Sequence, residues 1–202
     1  MTWRFLVLIA LVSTVFLGKE TSVRAETVAQ SKSLEKINPK LAQALSAEDY
    51  FNRGLTKSRS GDNQGAILDY NEAIRLKPNF AGAYNNRGNA KYELGDKQGA
   101  IADYNETIRL YPDAATYSNR GLAKYELGDK QGAIADYNET ILLYPNADAY
   151  YNRGRAKYDL GDNQGAIRDY NEAIRLKPNF AEAYTNRGLA KADLAIVLIV
   201  KR

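Results

Sequence analysis

Small and apolar residues recur along most of the chain at the spacing of amphipathic helices, and short polar breaks separate them. In one unit, the spacing of Ala83, Tyr84 and Gly88 predicts a helix. Gly95 and Asp96 interrupt this pattern, and the carboxylate of Asp96 is well placed to accept the free backbone N–H groups of a following helix. The break therefore predicts a turn between two helices.

A second apolar pattern follows each break and ends at a proline. Ala100, Ile101 and Tyr104 predict the second helix of the unit, and Pro112 closes it. The unit recurs with spacings of 34, 33, 33 and 34 residues, counted between the glycines of a repeated Asn-Arg-Gly sequence. These glycines are Gly54, Gly88, Gly121, Gly154 and Gly188. A period of this length indicates a solenoid of stacked helix pairs.

Several other sites carry the same kind of residue in each unit. The fourth site is aromatic, at Tyr50, Tyr84, Tyr117, Tyr150 and Tyr184. The twentieth is small, at Ala66, Ala100, Ala133 and Ala166. The twenty-fourth is aromatic again, at Tyr70, Tyr104, Tyr137 and Tyr170. The closing prolines are Pro78, Pro112, Pro145 and Pro178.

With these matches, the chain resembles the tetratricopeptide-repeat family over about residues 47–191. The resemblance implies an all-α fold, a right-handed superhelix (α-solenoid) of antiparallel helix pairs. It predicts that the tyrosines at the fourth and twenty-fourth sites lie in the core. Tyr92, Tyr125 and Tyr158, late on the first helices, are less clearly core residues and are placed to edge a groove.

We expect four full repeats and a partial fifth. The full repeats are residues 47–80, 81–113, 114–146 and 147–180, and the partial repeat is 181–194. The first helix of the fifth unit is expected to end near Asp193, before an atypical apolar tail over 195–202. This tail is too short to span a membrane. Two interpretations remain open, a makeshift cap on the solenoid or a truncated repeat.

The N-terminus has the pattern of a targeting segment. Arg4 precedes a weakly polar to apolar run from Phe5 to Leu17, and Ala25 is a plausible cleavage site, so residues 1–25 are predicted to be a signal peptide. The alternative is an uncleaved signal anchor. Residues 26–46 form a polar lead-in. The body is accordingly expected to be exported (periplasmic, lumenal or secreted), or held at a membrane only by that anchor.

Composition weighs against several kinds of chemistry. The chain has no cysteine and no histidine, which are the preferred ligands of zinc sites. Its net charge is +4, too little for a strong electrostatic claim on nucleic acid. The repeated Gly-Asp-Lys-Gln-Gly-Ala sequence lacks the Gly-Lys-Ser/Thr ending of a phosphate loop. We therefore predict no catalytic residues, no metal, no cofactor and no nucleic-acid partner.

The seventh site departs from the family, which usually has a leucine there. This chain has Arg53, Arg87, Arg120, Arg153 and Arg187. A buried arginine needs a partner, and each second helix offers two recurring carboxylates. They are Asp69, Asp103, Asp136 and Asp169, and Glu72, Glu106, Glu139 and Glu172. We predict an Arg–Asp or Arg–Glu ladder between helices; the alternative is that the arginines contact a ligand.

The resemblance implies that the first helices line a concave face, where family members bind extended peptides or a partner's helix. The sixth site is always asparagine, at Asn52, Asn86, Asn119, Asn152 and Asn186. A row of carboxamides can bond the alternating N–H and C=O groups of an extended backbone. Alternatively, these amides suit a solvated face or bond locally between repeats.

Variable neighbours of the asparagines would give specificity. They include Asn85, Asn89, Tyr151 and Arg155, and they do not reproduce the lysine-rich carboxylate clamp of chaperone-binding relatives. Acids at Glu93, Glu126 and Asp159 would favour a basic ligand. The predicted function is a non-enzymatic adaptor or scaffold for a protein or extended peptide. The alternative is a structural or self-assembling protein, a homo-oligomer formed through its terminal repeat.

Overall fold

The computed structural model describes residues 45–200, so the predicted signal segment, most of the lead-in and the last two residues lie outside the described part. The described part folds into nine α-helices and contains no strand. They are α1 (Ala47–Arg59), α2 (Asn63–Leu76), α3 (Ala81–Glu93), α4 (Lys97–Leu110), α5 (Ala114–Glu126), α6 (Lys130–Leu143), α7 (Ala147–Asp159), α8 (Asn163–Leu176) and α9 (Ala181–Val200). Helices that follow one another in sequence pack together, which makes an all-α solenoid of helix pairs.

The Gly-Asp breaks end one helix and begin the next, as predicted. Gly95 has a φ of +86°, in the left-handed region that residues other than glycine rarely adopt. Asp96 then accepts the backbone N–H of Gly99 at 2.8 Å and caps α4. The same pair of features recurs at the three other Gly-Asp turns.

The tyrosines at the twenty-fourth site form the centre of each repeat. They are at most 2% exposed. Each ring lies against the glycine of the facing first helix; a Cβ atom built on Gly121 would lie 2.9 Å from the Cε1 of Tyr137. The glycine is therefore needed for the close approach of the two helices.

Most of the tyrosines at the fourth site are only half-buried, so the prediction that they are core residues is wrong. Tyr117, for example, lies beneath the guanidinium of Arg120, with 5.4 Å between Cζ and the ring centroid. The arginine at the seventh site takes the space of the family's leucine. It covers the ring with a charged group that itself reaches solvent.

The last helix continues past its predicted end near Asp193 and runs to Val200. No Gly-Asp sequence interrupts it at the point where the other first helices stop, so nothing ends the helical pattern there. Residues 195–200 thus extend α9. Among the described residues, no helix combines the length and the apolar character that crossing a membrane would require.

Candidate functional site

The arginines at the seventh site form ion pairs with the aspartates of the second helices. The Nε and Nη2 atoms of Arg120 donate to the two carboxylate oxygens of Asp136, at 2.9 and 2.6 Å. Lys124, four residues further on, contacts the same carboxylate at 2.9 Å. Three other repeats share this arrangement, at Arg53–Asp69, Arg87–Asp103 and Arg153–Asp169. The Arg–Asp form of the predicted ladder is therefore confirmed.

The Arg–Glu form of the ladder is wrong. Glu106 bonds instead to Arg109 within its own helix, at 2.9 Å, and the same exposed pair recurs in α2 and α8. The glutamate lies three residues after the aspartate, on the exposed surface of the second helix. There it bonds to the arginine three residues further along the same helix and not to the seventh-site arginine.

A third bond joins each repeat to the one before it. The Nη1 of Arg120 donates to the side-chain oxygen of Asn105 on the preceding second helix, at 2.6 Å. Corresponding bonds are Arg87–Asn71, Arg153–Asn138 and Arg187–Asn171. Arg53 has no preceding repeat to contact in the described part, and its side chain is 48% exposed against 17% for Arg120. The arginine thus connects three helices.

The clustered cations change the acidity of the buried carboxylate. Hydrogen bonds from Arg53, with a further contribution from Lys57, hold the pKa of Asp69 below its ordinary value of 3.8. Burial acts in the opposite direction but is outweighed. Asp69 is accordingly charged throughout the neutral range.

The late tyrosines of the first helices form a second set of bonds, each reaching one repeat forward. Tyr92 donates to Glu126 at 2.7 Å, and Tyr125 donates to Asp159 at 2.6 Å. Lysines at the start of the second helices approach the same two acids, Lys97–Glu126 at 3.1 Å and Lys130–Asp159 at 3.5 Å. Two of the three acids expected to attract a basic ligand are therefore already paired.

A cavity of about 350 Å³ lies between the second and third repeats. Its lining residues are Asn89, Tyr92, Glu93, Tyr104, Asn119 and Leu122. The side-chain oxygen of Asn89 accepts from the hydroxyl of Tyr104 at 2.8 Å and from the amide of Asn119 at 3.3 Å. Glu93 is exposed and forms no ion pair with any other described residue. Tyr92, which was placed at the edge of a groove, lines this cavity.

Asparagines at the sixth site are not a uniform row. The amide of Asn86 donates to the backbone oxygen of Gly82 at 2.8 Å, and that of Asn186 donates to the hydroxyl of Tyr151 at 3.1 Å. Asn119 bonds to Asn89 across the cavity. The bonding between repeats that was the alternative therefore occurs at Asn119 and Asn186, whereas Asn86 bonds within its own helix. Each amide retains a second N–H and its oxygen for further bonds.

The variable sites make contacts of their own. Asn85 accepts from Thr116 at 3.3 Å. Arg155 lies over the ring of Tyr125, with 4.8 Å between Cζ and the centroid, and also over Tyr151. Tyr151 packs on Phe180. Among all the predicted ligand residues, Asn89 and Asn119 line the cavity.

Known proteins share this repeat. Models described as TPR repeat match residues 54–95 and 154–194, and models described as tetratricopeptide repeat match 81–113 and 116–147. A crystal structure of MamA protein is 31% identical over 71% of this chain and 80% of its own, with a TM-score of 0.69. The chain belongs to the tetratricopeptide-repeat family. No curated protein sequence matches it significantly.

Two further solved structures have the same repeat fold. A MamA fragment from Desulfovibrio magneticus RS-1 is 20% identical, covers 77% of this chain and 95% of its own, and has a TM-score of 0.66. The first TPR of Spaghetti (RPAP3), bound to the HSP90 peptide SRMEEVD, is 27% identical. It covers 57% of this chain and 93% of its own, with a TM-score of 0.56.

Within this tetratricopeptide solenoid, sequence reasoning missed two members of the ion clusters. One is the lysine four residues after the arginine, which contacts the same aspartate. The other is the asparagine that follows each twenty-fourth-site tyrosine and accepts a hydrogen bond from the arginine of the next repeat. Both recur in every full repeat and were visible as repeats in the sequence. The recurrence of the lysine and the asparagine was therefore visible, but a residue that recurs once in every repeat can contact its own repeat or either neighbour. Its position in the sequence does not distinguish these cases.

Proposed function

We propose that this tetratricopeptide-repeat protein is a non-enzymatic adaptor that binds an extended segment of a partner protein along its first helices. The observation that carries the proposal is the cavity between the second and third repeats. It brings two amides, two tyrosine rings, a carboxylate and Leu122 to one opening. A few polar groups on a partly apolar concave surface are typical of a ligand site.

The groups in the cavity suit a peptide backbone. Asn119 and Asn89 are joined by a bond of 3.3 Å, slightly longer than the usual range, so a ligand can replace it at little cost. An extended strand offers both the N–H and the C=O that these amides need. Glu93, which has no partner cation among the described residues, favours a basic side chain beside that backbone.

The family supports an interaction role. Tetratricopeptide repeats are generally modules for binding proteins, and the RPAP3 domain is a relative seen with a bound peptide. That peptide, SRMEEVD, carries three acids. The cavity of this chain contains Glu93 in place of a cluster of cations, so we propose a ligand of the opposite charge.

Selection from a displayed peptide library on the full-length protein tests this proposal. Selected peptides are titrated by calorimetry against the wild type, Asn119→Ala and Glu93→Gln. Asn119→Ala is expected to weaken binding about tenfold, the size of one lost hydrogen bond. Glu93→Gln is expected to weaken it about two- to fivefold, because Glu93 is exposed and its ion pair with the ligand is screened by solvent. Glu139→Gln, an exposed acid on α6, is the matched control and should change nothing. Peptides that bind all four proteins equally would contradict the proposed site.

Self-assembly is the second candidate function. Three large apolar side chains of α9 are exposed, Tyr184 by 44%, Leu189 by 51% and Ile196 by 58%. Exposed apolar surface at the end of a solenoid favours association. Light scattering over a range of protein concentrations tests this candidate, and a constant monomeric mass would contradict it.

We further propose that the protein is exported, on the pattern of residues 1–25. N-terminal sequencing of the protein recovered from its cell tests the location. A mature chain that begins at residue 26 supports cleavage and export, whereas a chain that retains Arg4 and remains soluble in the cytoplasm would contradict both.

A further inference from the structure

In the fifth repeat, the described residues form a first helix, α9, and no second helix that follows it. In the four full repeats, three residues of the first helix form one surface. They are the arginine, the glycine that follows it and the lysine four residues after the arginine. This surface receives the aspartate and the tyrosine of the second helix. In α9 the same surface consists of Arg187, Gly188 and Lys191, which we call the terminal socket.

The terminal socket is open within the described structure. A Cβ atom built on Gly188 would meet nothing within 4 Å, whereas one built on Gly154 would lie 2.8 Å from the ring of Tyr170. Arg187 keeps its bond to Asn171, at 2.8 Å, but its Nε and Nη2 atoms bond no described carboxylate. Lys191 is exposed and is in no ion pair with a described residue.

Charge and shape define what fits the socket. Two cations flank the glycine, and in every full repeat the corresponding cations hold a single aspartate that is at most 3% exposed. The residue after that aspartate is a tyrosine whose ring fills the space above the glycine. Three residues before the aspartate, a fully buried alanine lets the helices approach. The occupant is thus a helix with the pattern Ala-x-x-Asp-Tyr.

We propose that the terminal socket binds such a helix from a partner protein. This site is separate from the cavity and takes a helix, whereas the cavity takes an extended strand. Another copy of this chain fits poorly. Its four Asp-Tyr pairs are buried in their own repeats. Face-to-face pairing of two sockets would bring Arg187 and Lys191 against the same two cations, which repel.

A synthetic peptide tests the proposal with the full-length protein. The probe is a fluorescein-labelled peptide with the sequence of residues 162–178, which contains the pattern and its own helix cap. Fluorescence anisotropy should show saturable binding. Asp169→Asn in the peptide should weaken that binding about tenfold or more, because it removes a charge-assisted pair.

Two protein variants locate the binding. Gly188→Leu fills the open space and should abolish binding, and Arg187→Gln should weaken it about tenfold. Arg175→Gln, on α8 and outside the socket, is the matched control. No binding at all, or equal binding of the Asp169→Asn peptide, would overturn the proposal. Binding that survives Gly188→Leu would also overturn it, because the peptide would then be replacing an internal helix.

The same variants separate this site from the two other proposals. Asn119→Ala should leave binding of the helical peptide unchanged. A negative result for peptide binding in the cavity would therefore not contradict the proposal for the terminal socket. A concentration-dependent dimer that Gly188→Leu abolishes, together with no peptide binding, would show that the socket pairs two copies and would overturn the partner-helix proposal.

Discussion

Arg120 holds Asp136 with two parallel hydrogen bonds, from Nε to Oδ2 at 2.9 Å and from Nη2 to Oδ1 at 2.6 Å. The aspartate is 2% exposed, so its charge depends on this pairing for compensation. The family's leucine at the same site would need no such partner. Stability of the solenoid therefore depends on four buried ion clusters as well as on apolar packing.

Replacing the arginine by the family's residue tests that dependence. Arg120→Leu should lower the free energy of unfolding by about 3 kcal/mol, the lower end of the cost of removing one member of a buried pair, since Lys124 still contacts the carboxylate. Urea denaturation followed by circular dichroism measures the loss. Arg187→Leu is the matched control, because Arg187 bonds no described carboxylate, and it should cost less than about 1 kcal/mol. Equal losses would contradict the role of the ion cluster.

The glycine beside each arginine can be tested in the same way. A Cβ atom at Gly154 would lie 2.8 Å from the buried ring of Tyr170. Gly154→Ala should therefore destabilise the protein by about 1–2 kcal/mol despite the better helix propensity of alanine.

Gly188→Ala provides the opposite case. Nothing lies within 4 Å of the new methyl group, so only the helix propensity acts and stability should rise by about 0.5–1 kcal/mol. Thermal unfolding of both variants measures the difference. A loss at both positions would show that the helix backbone, and not the facing tyrosine, requires glycine.

Repetition explains how much of this fold the sequence predicts. Asp96 and its counterparts bond to a backbone N–H only three residues away, so their role as helix caps could be predicted from the sequence around them. The burial of Tyr104 and its counterparts was implied by the resemblance to the family, and the structure confirms it. Tyr117 was misjudged because its cover comes from Arg120, a residue whose direction depends on the packed neighbours.

The candidate site could be predicted only in part. Asn119 was chosen as one of five equivalent asparagines, yet the structure gives the amides different partners because the residues around them vary. Leu122 and Tyr104 also line the cavity, but neither was among the predicted ligand residues. Cavity walls combine residues from several helices, and sequence spacing alone does not show where those helices leave a gap.

Acid should weaken the ion cluster of the first repeat. The pKa of Asp69 is below 3.8 in the folded state because Arg53 and Lys57 stabilise its charged form. Its contribution is therefore complete above the unfolded value of 3.8 and is lost as the pH falls through the lower folded value. Asp69→Asn should be less stable than the wild type at pH 7, and the gap in melting temperature should narrow below about pH 4.

Melting curves between about pH 7 and pH 2 check this dependence. Glu139→Gln removes an exposed acid on α6 and should melt in parallel with the wild type at every pH. A gap between the wild type and Asp69→Asn that stays constant down to the lowest pH would mean that the carboxylate contributes by its shape rather than by its charge.

The tyrosines that reach one repeat forward couple neighbouring repeats through single hydrogen bonds. Tyr125 donates to Asp159 at 2.6 Å, so Tyr125→Phe should lower the free energy of unfolding by about 1 kcal/mol. Tyr144→Phe, at a tyrosine that is 67% exposed, is the matched control and should have no effect. A double-mutant cycle with Asp159→Asn isolates the pair, because the second substitution should cost less once the hydroxyl is gone and only the longer contact of Asp159 with Lys130 remains to be lost. Strictly additive losses would show that the bond between Tyr125 and Asp159 does not couple the two repeats.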